Sequence, residues 1–321
     1  MEQQNLNTTV TEFVLLGLTQ NRGLQYFLFV VFFIVYITTW LGNFTIIIAV
    51  ITDYQLHTPM YFLLANLAFL DVSDSSVNAP KLLSGLLSQC NIISFNECLL
   101  QMFFFHLIGA AMMFCLVIMA LDRYVAIYKP LQYLTIMNRG MCVGLMTGAW
   151  LGGFAHSIVQ IELIIQLPFC GPNVLDNFYC DVPQVIKLAC TDTYLVEILM
   201  VSNGGLLLII VFIILLTSYT IILVKIKTHV TEGNRKALAT CGAQITVVSL
   251  IFIPGIVIYA QPFKKLPMGK MVSVLYTLVT PMLNPMIYTL RNTEMKKIQA
   301  ALRRLVGGRL FTMNMKSIVL P

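Results

Sequence analysis

The chain has 321 residues, of which 58% are apolar and 11% are charged, with 20 basic and 14 acidic side chains. Soluble domains carry charge on about 25% of their residues, so this composition argues against a water-soluble globule, and the high apolar fraction excludes a disordered chain. The net charge of +6 is not gathered on one solvated surface, as nucleic-acid binding would require. The composition therefore indicates a protein that crosses a lipid bilayer.

Intervals without charge define the predicted membrane spans. A helix that crosses about 30 Å of hydrocarbon needs about 20 mostly apolar residues. Six intervals without any ionised side chain reach that length, and a seventh is broken only by Asp71 and Asp74. A β-barrel would show short alternating segments instead. The sequence therefore predicts an all-α membrane protein with a seven-transmembrane helix bundle, and its spans cover about 24–51, 59–82, 98–122, 141–162, 197–224, 237–261 and 271–290.

The distribution of lysine and arginine predicts the orientation. With the amino terminus outside, 14 of the 20 basic residues lie on the cytoplasmic side, as the positive-inside rule requires. Residues 1–23 then form an extracellular tail without a cleavable signal peptide, and the sequon at Asn7 is a glycosylation site. Residues 291–321 form a cytoplasmic tail that begins with a short amphipathic helix 8. We predict a multi-pass protein of the plasma membrane.

Four cysteines fall on the predicted outer side. Cys98 begins the third span, and Cys170, Cys180 and Cys190 lie in the loop between the fourth and fifth spans. Four outward cysteines suit two disulfides, but spacing alone allows three pairings, and Cys90 adds an odd thiol nearby. A crosslinked loop of about 30 residues is more often functional than disordered. We interpret this loop as a lid across the outer mouth of the bundle.

The polar motifs inside the spans occur in a distinctive order. They are Gly42-Asn43, LHTPMYFLLANLAFLD at 56–71, MALDRYVAIYKPLQY at 119–133, Ser218-Tyr219, KALATCGAQ at 236–244 and PMLNPMIYTLRN at 281–292. With these motifs the chain resembles the rhodopsin-like G-protein-coupled receptors, specifically the olfactory receptors, over about residues 11–306. The resemblance implies a small volatile odorant as ligand and a stimulatory, olfactory-type heterotrimeric G protein that raises cyclic AMP. It also implies the disulfides Cys98–Cys180 and Cys170–Cys190.

Polar residues within the spans are costly in hydrocarbon and should face one another or water inside the bundle. For Asn43, structural glue and a switch role are equally consistent with this placement, whereas for the buried acid Asp71 we favour a switch role. Arg123 either snorkels to the headgroups or, as the resemblance implies, holds the inactive state and turns toward the G protein on activation. The activation and G-protein residues that the resemblance implies are Asp71, Asp122, Arg123, Tyr124, Tyr219, Lys236, Asn284, Pro285 and Tyr288.

The same resemblance implies a ligand cavity that opens outward between helices 3, 5, 6 and 7. Its wall contains no lysine, arginine or acid, so we expect a small, mostly apolar ligand with one alcohol, carbonyl or ether group. His106 fits helix packing as well as it fits ligand contact. Neither a metal site nor a cofactor is predicted. The residues that the resemblance places in this cavity are Phe105, His106, Gly109, Ala110, Asn203, Leu207, Phe252, Ile256, Tyr259, Val274 and Thr277.

Several positions depart from the family pattern. Met112 stands where many members carry glutamate, and Asp74 lies one helical turn after Asp71 on the same face. Our hypothesis is that Asp74 replaces the missing acid. Glu162 either snorkels to the outer headgroups or borders the cavity, where it would favour ligands with a positive end.

Glycines at 144, 148 and 152 form a small-xxx-small ridge on the fourth span. Such a ridge allows close packing against a neighbouring helix of the same chain, and a dimer face is the alternative.

Three other functions compete with an odorant receptor. A rhodopsin-like receptor for an endogenous metabolite in non-olfactory tissue would have the same cavity chemistry. A transporter or channel would show internal repeats and polar half-helices, and neither is apparent. No enzymatic activity is predicted, because motifs such as HExxH, GxSxG and the P-loop are absent from the sequence.

Overall fold

A computed structural model describes residues 10–88, 91–228, 242, 245–256 and 269–289 of the chain. Several predictions therefore fall outside the described residues. They concern Asn7, Cys90, Lys236, Tyr259, the side chain of Tyr288, and helix 8 with the tail at 291–321.

Seven helical segments of more than ten residues follow one another in the described part of the chain, besides the short helices Tyr133–Ile136 and Val182–Ile186. Two of them, α5 and α7, each contain a π turn, in which the backbone hydrogen bonds span five residues instead of four. The segments are α1 (Arg22–Thr52), α2 (Pro59–Leu87), α3 (Phe95–Tyr128), α4 (Arg139–Ile165), α5 (Tyr194–Met200, the π turn Val201–Gly205 and Leu206–Thr228), α6 (Ile245–Ile256) and α7 (Gly269–Val274, the π turn Leu275–Val279 and Thr280–Thr289).

Four of the described helices, α1, α3, α4 and α5, are long and apolar enough to cross a membrane. In α1 only 6% of the most apolar stretch is buried in the protein. Apolar side chains such as Phe27, Ile34 and Leu41 are exposed there, as expected for a helix whose surface contacts lipid.

Local side-chain chemistry sets where the helices begin. The side chain of Asn21 accepts a hydrogen bond from the backbone N–H of Leu24 at 3.2 Å, and Asn138 does the same for Met141 at 2.9 Å. Ser94 and Glu97 form a reciprocal capping box at the start of α3. Each of these contacts satisfies a backbone N–H that the first helical turn leaves unpaired.

The centre of the bundle is α3, which packs against α2, α4 and α5. The closest approach lies at Gly153 of α4, where an added Cβ would stand 2.6 Å from the carbonyl oxygen of Leu107. Gly152 faces the ring of Phe114, but Gly144 and Gly148 have no neighbouring atom within 4 Å of an added Cβ. The prediction that the glycine ridge packs closely against a neighbouring helix of the same chain is therefore wrong for Gly144 and Gly148. Positions four apart drift by about 40° around a helix, so the ridge leaves the interface.

A small sheet covers one end of the bundle. Strand β1 (Glu12–Leu15) pairs antiparallel with β2 (Ile92–Ser94) and parallel with β3 (Val174–Leu175), in the order β2-β1-β3. We call this end the outer end, and the end at Asp122 the cytoplasmic end, after the predicted orientation. The strand in the amino-terminal tail was not predicted, because four residues next to the first span give no distinctive pattern.

Two disulfides crosslink the loop between α4 and α5, one to the start of α3 and one within the loop itself. Cys98 pairs with Cys180 and Cys170 pairs with Cys190, with Cα atoms 5.5 Å and 5.9 Å apart. These are the two pairs that the resemblance implies. The Cys98–Cys180 pair is buried, whereas Cys170 and Cys190 are exposed.

Candidate ligand cavity and cytoplasmic switch

An enclosed cavity of about 100 Å³ lies in the interior of the bundle. Six helices, α2 to α7, contribute to its wall. The residues that line it are Asp71, Asp74, Phe105, His106, Gly109, Ala110, Met112, Met113, His156, Gly204, Leu208, Ile251, Gly255, Tyr276, Thr280 and Pro281.

All four α3 residues carried over from the resemblance line this cavity, namely Phe105, His106, Gly109 and Ala110. The residues carried over on the other helices do not line it in the described part of the chain. Leu207, Phe252 and Ile256 each lie one position away from a residue that does, and Val274 and Thr277 are buried elsewhere in α7. Asn203 directly precedes Gly204 of the wall.

Both α5 and α7 contain a π turn next to the positions that differ. A π turn inserts one extra residue into the helix, which rotates the face that follows by about 100°. On α5 the wall residue after the turn is Leu208 rather than Leu207, and on α7 the wall residues are Tyr276 and Thr280 rather than Thr277. The hydroxyl of Thr280 donates to the carbonyl of Leu275 at 3.0 Å, which satisfies a backbone group within the second turn.

Two histidines form the polar part of the wall near α4. The ring of His106 stacks on that of His156 with centroids 5.8 Å apart, and Nδ1 of His106 lies 3.0 Å from the carbonyl oxygen of Met102. Nδ1 of His156 and Nδ2 of Asn203 are buried and have no hydrogen-bond partner among the described residues. His156 was not predicted, because α4 was expected to lie outside the cavity.

Two acids also line the cavity, which contradicts the expectation that its wall contains none. Asp71 and Asp74 are 1% and 6% exposed, and both face the cavity from α2. Met112 lies in the same wall, so Asp74 shares the cavity with the position at which the family resemblance implies an acid. Glu162 is exposed at the outer end of α4 and is not part of this wall.

The loop between α4 and α5 inserts an aromatic side chain above the cavity. Tyr179 is fully buried, and its hydroxyl lies 2.8 Å from that of Tyr276. Its ring lies 5.7 Å from that of Phe105, which lines the cavity. Next to it, the backbone N–H of Cys180 donates to the side chain of Gln101 at 2.9 Å. This geometry supports the interpretation of the loop as a lid.

A buried acid beside this aromatic residue makes the lid sensitive to pH. Asp181 is 8% exposed and precedes the short helix Val182–Ile186 without making a side-chain cap. Burial raises the pKa of Asp181 to about 7, although the nearby Lys187 cation opposes the shift. The folded protein therefore binds this proton more tightly than the unfolded chain, whose aspartates titrate near 3.9.

We expect the free energy of unfolding of the outer end to fall as the pH rises from about 4 to about 7. Above pH 7, Asp181 should cause no further decrease. The shift corresponds to about 4 kcal/mol in the free energy of unfolding. The measurement is the unfolding temperature of the purified protein at pH 5.5 and pH 8. Asp181→Asn should reduce the difference between the two, and Asp192→Asn, at an exposed aspartate of the same loop, should leave it unchanged.

A polar network connects the cavity wall to α1 and α7. Nδ2 of Asn284 donates to Asp71 at 2.7 Å, and Nδ2 of Asn43 donates to the carbonyl of Pro281 at 3.1 Å. An added Cβ at Gly42 would lie 3.1 Å from Pro285, so α1 and α7 are in close contact at this level. Asn43 therefore joins two helices, as structural glue would.

At the cytoplasmic end, Asp122 is buried rather than exposed. It accepts a hydrogen bond from the hydroxyl of Tyr133 at 2.6 Å, and its other oxygen lies 3.6 Å from the guanidinium of Arg123. The burial of Asp122 distinguishes this contact from an ion pair on the surface. Tyr219 is also buried, while the rings of Tyr124 and Tyr128 stack with centroids 4.6 Å apart.

A larger cavity of about 710 Å³ lies between the cytoplasmic parts of α1, α2 and α4. Its wall includes Ile51, Phe69 and Val143, which are exposed, so it is a groove on the lipid-facing surface of the bundle. The enclosed cavity beneath Tyr179 is therefore the better candidate for a ligand site.

Comparison with known proteins agrees with this architecture. The family model described as olfactory receptor matches residues 32–307. Olfactory receptor 4D1 of Homo sapiens is 58% identical over 305 residues, which cover 95% of this chain and 97% of that protein. Olfactory receptor 4N5 of Homo sapiens is 52% identical over 311 residues, covering 97% and 100%. Olfactory receptor 4E2 of Mus musculus is 52% identical over 297 residues, covering 92% and 96%.

These matches confirm both the resemblance and the predicted fold class, an all-α membrane protein with a seven-transmembrane bundle. The chain therefore belongs to the olfactory receptor family of G-protein-coupled receptors.

Proposed function

We propose that this chain is an odorant receptor that binds a small, mostly apolar volatile in the enclosed cavity and activates a stimulatory G protein, raising cyclic AMP. The main support for the proposal is that one residue belongs both to the cavity wall and to the polar network of α7. Asp71 lines the cavity and also accepts the hydrogen bond of Asn284 on α7. A ligand that favours one arrangement of this pair would thereby favour one state of the bundle.

The wall of the cavity supports an apolar ligand. Aliphatic and thioether side chains of α3, α5 and α6 line it, as in Ala110, Met113, Leu208 and Ile251. The rings of Phe105 and Tyr276 add aromatic surface from α3 and α7. Burial of apolar ligand surface against them contributes about 25 cal/mol per Å². The lid residue Tyr179 closes the outer side and excludes water from the contact.

The coupling step requires the predicted orientation, with the amino terminus outside the plasma membrane and Arg123 facing the cytoplasm. In the structure Arg123 lies beside the buried Asp122, and its Nε has no hydrogen-bond partner in the described part of the chain. We propose that activation separates this pair and that Arg123 then contacts the G protein, together with Lys236, which precedes α6 in the sequence.

The test is a panel of volatile compounds applied to cells that express the full chain with a cyclic AMP reporter. At least one small, mostly apolar compound should raise cyclic AMP, and Arg123→Ala should abolish the response without reducing surface expression. Arg22→Ala, at an exposed cation of the outer end, is the matched control and should retain the response. A ligand that raises cyclic AMP equally through Arg123→Ala would contradict the coupling mechanism, and silence across a broad panel despite surface expression would contradict odorant sensing.

A further inference from the structure

Asp74 is the acidic side chain of the cavity that the bundle leaves without a partner. It is 94% buried, since only 6% is exposed, and it faces the cavity from the middle of α2. Within the described ranges it accepts no hydrogen bond and forms no ion pair, whereas Asp71 is held by Asn284. A carboxyl group that is removed from water is stable either as the neutral acid or beside a cation, and a cation that pairs with Asp74 has to come from the cavity itself.

The charges around the cavity favour a cation as this partner. Both acids of α2 line the wall, and none of the described residues that line it is a lysine or an arginine. The two imidazoles, His106 and His156, contribute to the same wall from α3 and α4. Ionised carboxyl groups would repel an anionic ligand, and beside a neutral ligand Asp74 would be the neutral acid. A cation within reach of Asp74 would offset the charge of both acids at once.

The remainder of the wall indicates that the cation is organic. The rings of Phe105 and Tyr276 lie in the wall with centroids 6.1 Å apart, and aromatic faces attract ammonium groups. Side-chain oxygen ligands of the kind that inorganic cations prefer are confined to Asp71, Asp74 and Thr280 among the described wall residues, whereas α3, α5 and α6 present aliphatic and thioether side chains that suit the hydrocarbon part of an organic cation. A cavity of about 100 Å³ accommodates only a small molecule.

We propose that Asp74 binds the protonated nitrogen of a small volatile amine, whose hydrocarbon part occupies the apolar wall of the same cavity. This inference rests on the proposed function and narrows its ligand class from an apolar volatile to an apolar volatile with one basic nitrogen. Glu162, the other acid considered for a ligand with a positive end, is exposed and outside the cavity wall.

The test compares two probes of the same shape that suit a cavity of about 100 Å³, isobutylamine and isobutanol. Each is titrated against the purified full-length receptor with the unfolding temperature as readout, and against cells with the cyclic AMP reporter. Aliphatic amines are protonated at neutral pH, so only the first probe can pair with Asp74. Because a charged hydrogen bond corresponds to about a ten- to hundredfold gain in affinity, the amine should bind that much more tightly than the alcohol.

Three variants assign the effect to Asp74. Asp74→Asn should bring the two affinities to within about threefold, and Asp74→Glu should restore the preference for the amine. Glu162→Gln removes one carboxylate from the outer end of the bundle and should leave the preference unchanged. The comparison of the two probes in the unmodified receptor decides the question even if a variant fails to fold.

Equal affinity for the two probes, no stabilisation by the amine, or a preference that survives Asp74→Asn would overturn the proposal. The proposal would also be overturned if exchanging potassium chloride for sodium chloride raised the unfolding temperature as much as the amine does. The site would then bind an inorganic cation. If the alcohol raises cyclic AMP as well as the amine, the receptor function stands and only the ligand class fails. If the amine stabilises the protein without any cyclic AMP response, the ligand class stands and the signalling proposal fails.

Discussion

Replacing Gly153 by alanine is expected to lower the unfolding temperature of the receptor and its abundance at the cell surface. The added Cβ would stand 2.6 Å from the carbonyl oxygen of Leu107 and 3.1 Å from the backbone nitrogen of Ala111. Both atoms belong to the backbone of α3, so a change of side-chain rotamer cannot relieve the contact. The two helices must separate by several tenths of an ångström at the centre of the bundle, and overpacking of this kind costs about 1–3 kcal/mol.

The neighbouring glycines supply the control for this prediction. An alanine at Gly148, five residues earlier on the same helix, would have no neighbouring atom within 4 Å. Because alanine favours a helix over glycine by up to about 1 kcal/mol, Gly148→Ala should be neutral or slightly stabilising. The measurement is the unfolding temperature of both variants in the same detergent. Equal destabilisation by the two alanines would show that α3 and α4 are not in backbone contact at Gly153.

This contrast shows where sequence reasoning about the fold stopped. The spacing of glycines at 144, 148 and 152 indicated close packing but could not give the direction of the packed face. That direction depends on how far α4 rotates against α3, and Gly153, outside the repeating pattern, makes the tightest approach. The fold class itself was predictable, because charge-free intervals of the length of a membrane span leave few alternatives.

The residues that line the cavity were predictable only in part, because the rotation of each helix determines which side chains face it. On α3, an uninterrupted helix, all four of the carried-over residues line the wall. On α5 and α7, π turns at Val201–Gly205 and Leu275–Val279 change the helical phase next to the cavity. A π turn has no reliable sequence pattern, so Leu208 and Thr280 could not be selected over their neighbours. The acids of α2 were recognised as unusual, but their place in the cavity wall depends on how α2 packs against α3.

The Asp122–Tyr133 hydrogen bond is another contact that could not be predicted from the sequence. Both residues belong to one quoted motif, yet a helix end and the 3-10 turn Pro130–Gln132 lie between them. The turn brings the tyrosine back onto the end of α3, where its hydroxyl donates to the buried carboxyl at 2.6 Å. The sequence offered Arg123 as the obvious partner because it is adjacent, whereas the shorter contact is the one to the tyrosine.

Loss of the Cys98–Cys180 disulfide is expected to have a larger effect than loss of Cys170–Cys190. The first joins residues 82 positions apart and the second joins residues 20 apart. In the chain-entropy account, closing loops of these lengths contributes about 4.5 and about 3 kcal/mol to the free energy of unfolding. Since Cys98 and Cys180 are also buried, their replacement by alanine removes packed sulfur atoms as well, whereas Cys170 and Cys190 are exposed.

The two double variants, each with a pair of cysteines replaced by alanine, form a matched comparison. The Cys98–Cys180 variant should unfold at a lower temperature than the Cys170–Cys190 variant, and it should also lose the response to ligand. The reason is that Tyr179, which covers the cavity, directly precedes Cys180 in the chain, so the disulfide holds its backbone against α3. If both variants lost the same stability while keeping equal ligand affinity, the disulfide would not position the lid, and the contacts of Tyr179 with Tyr276 and Phe105 would hold it in place without the crosslink.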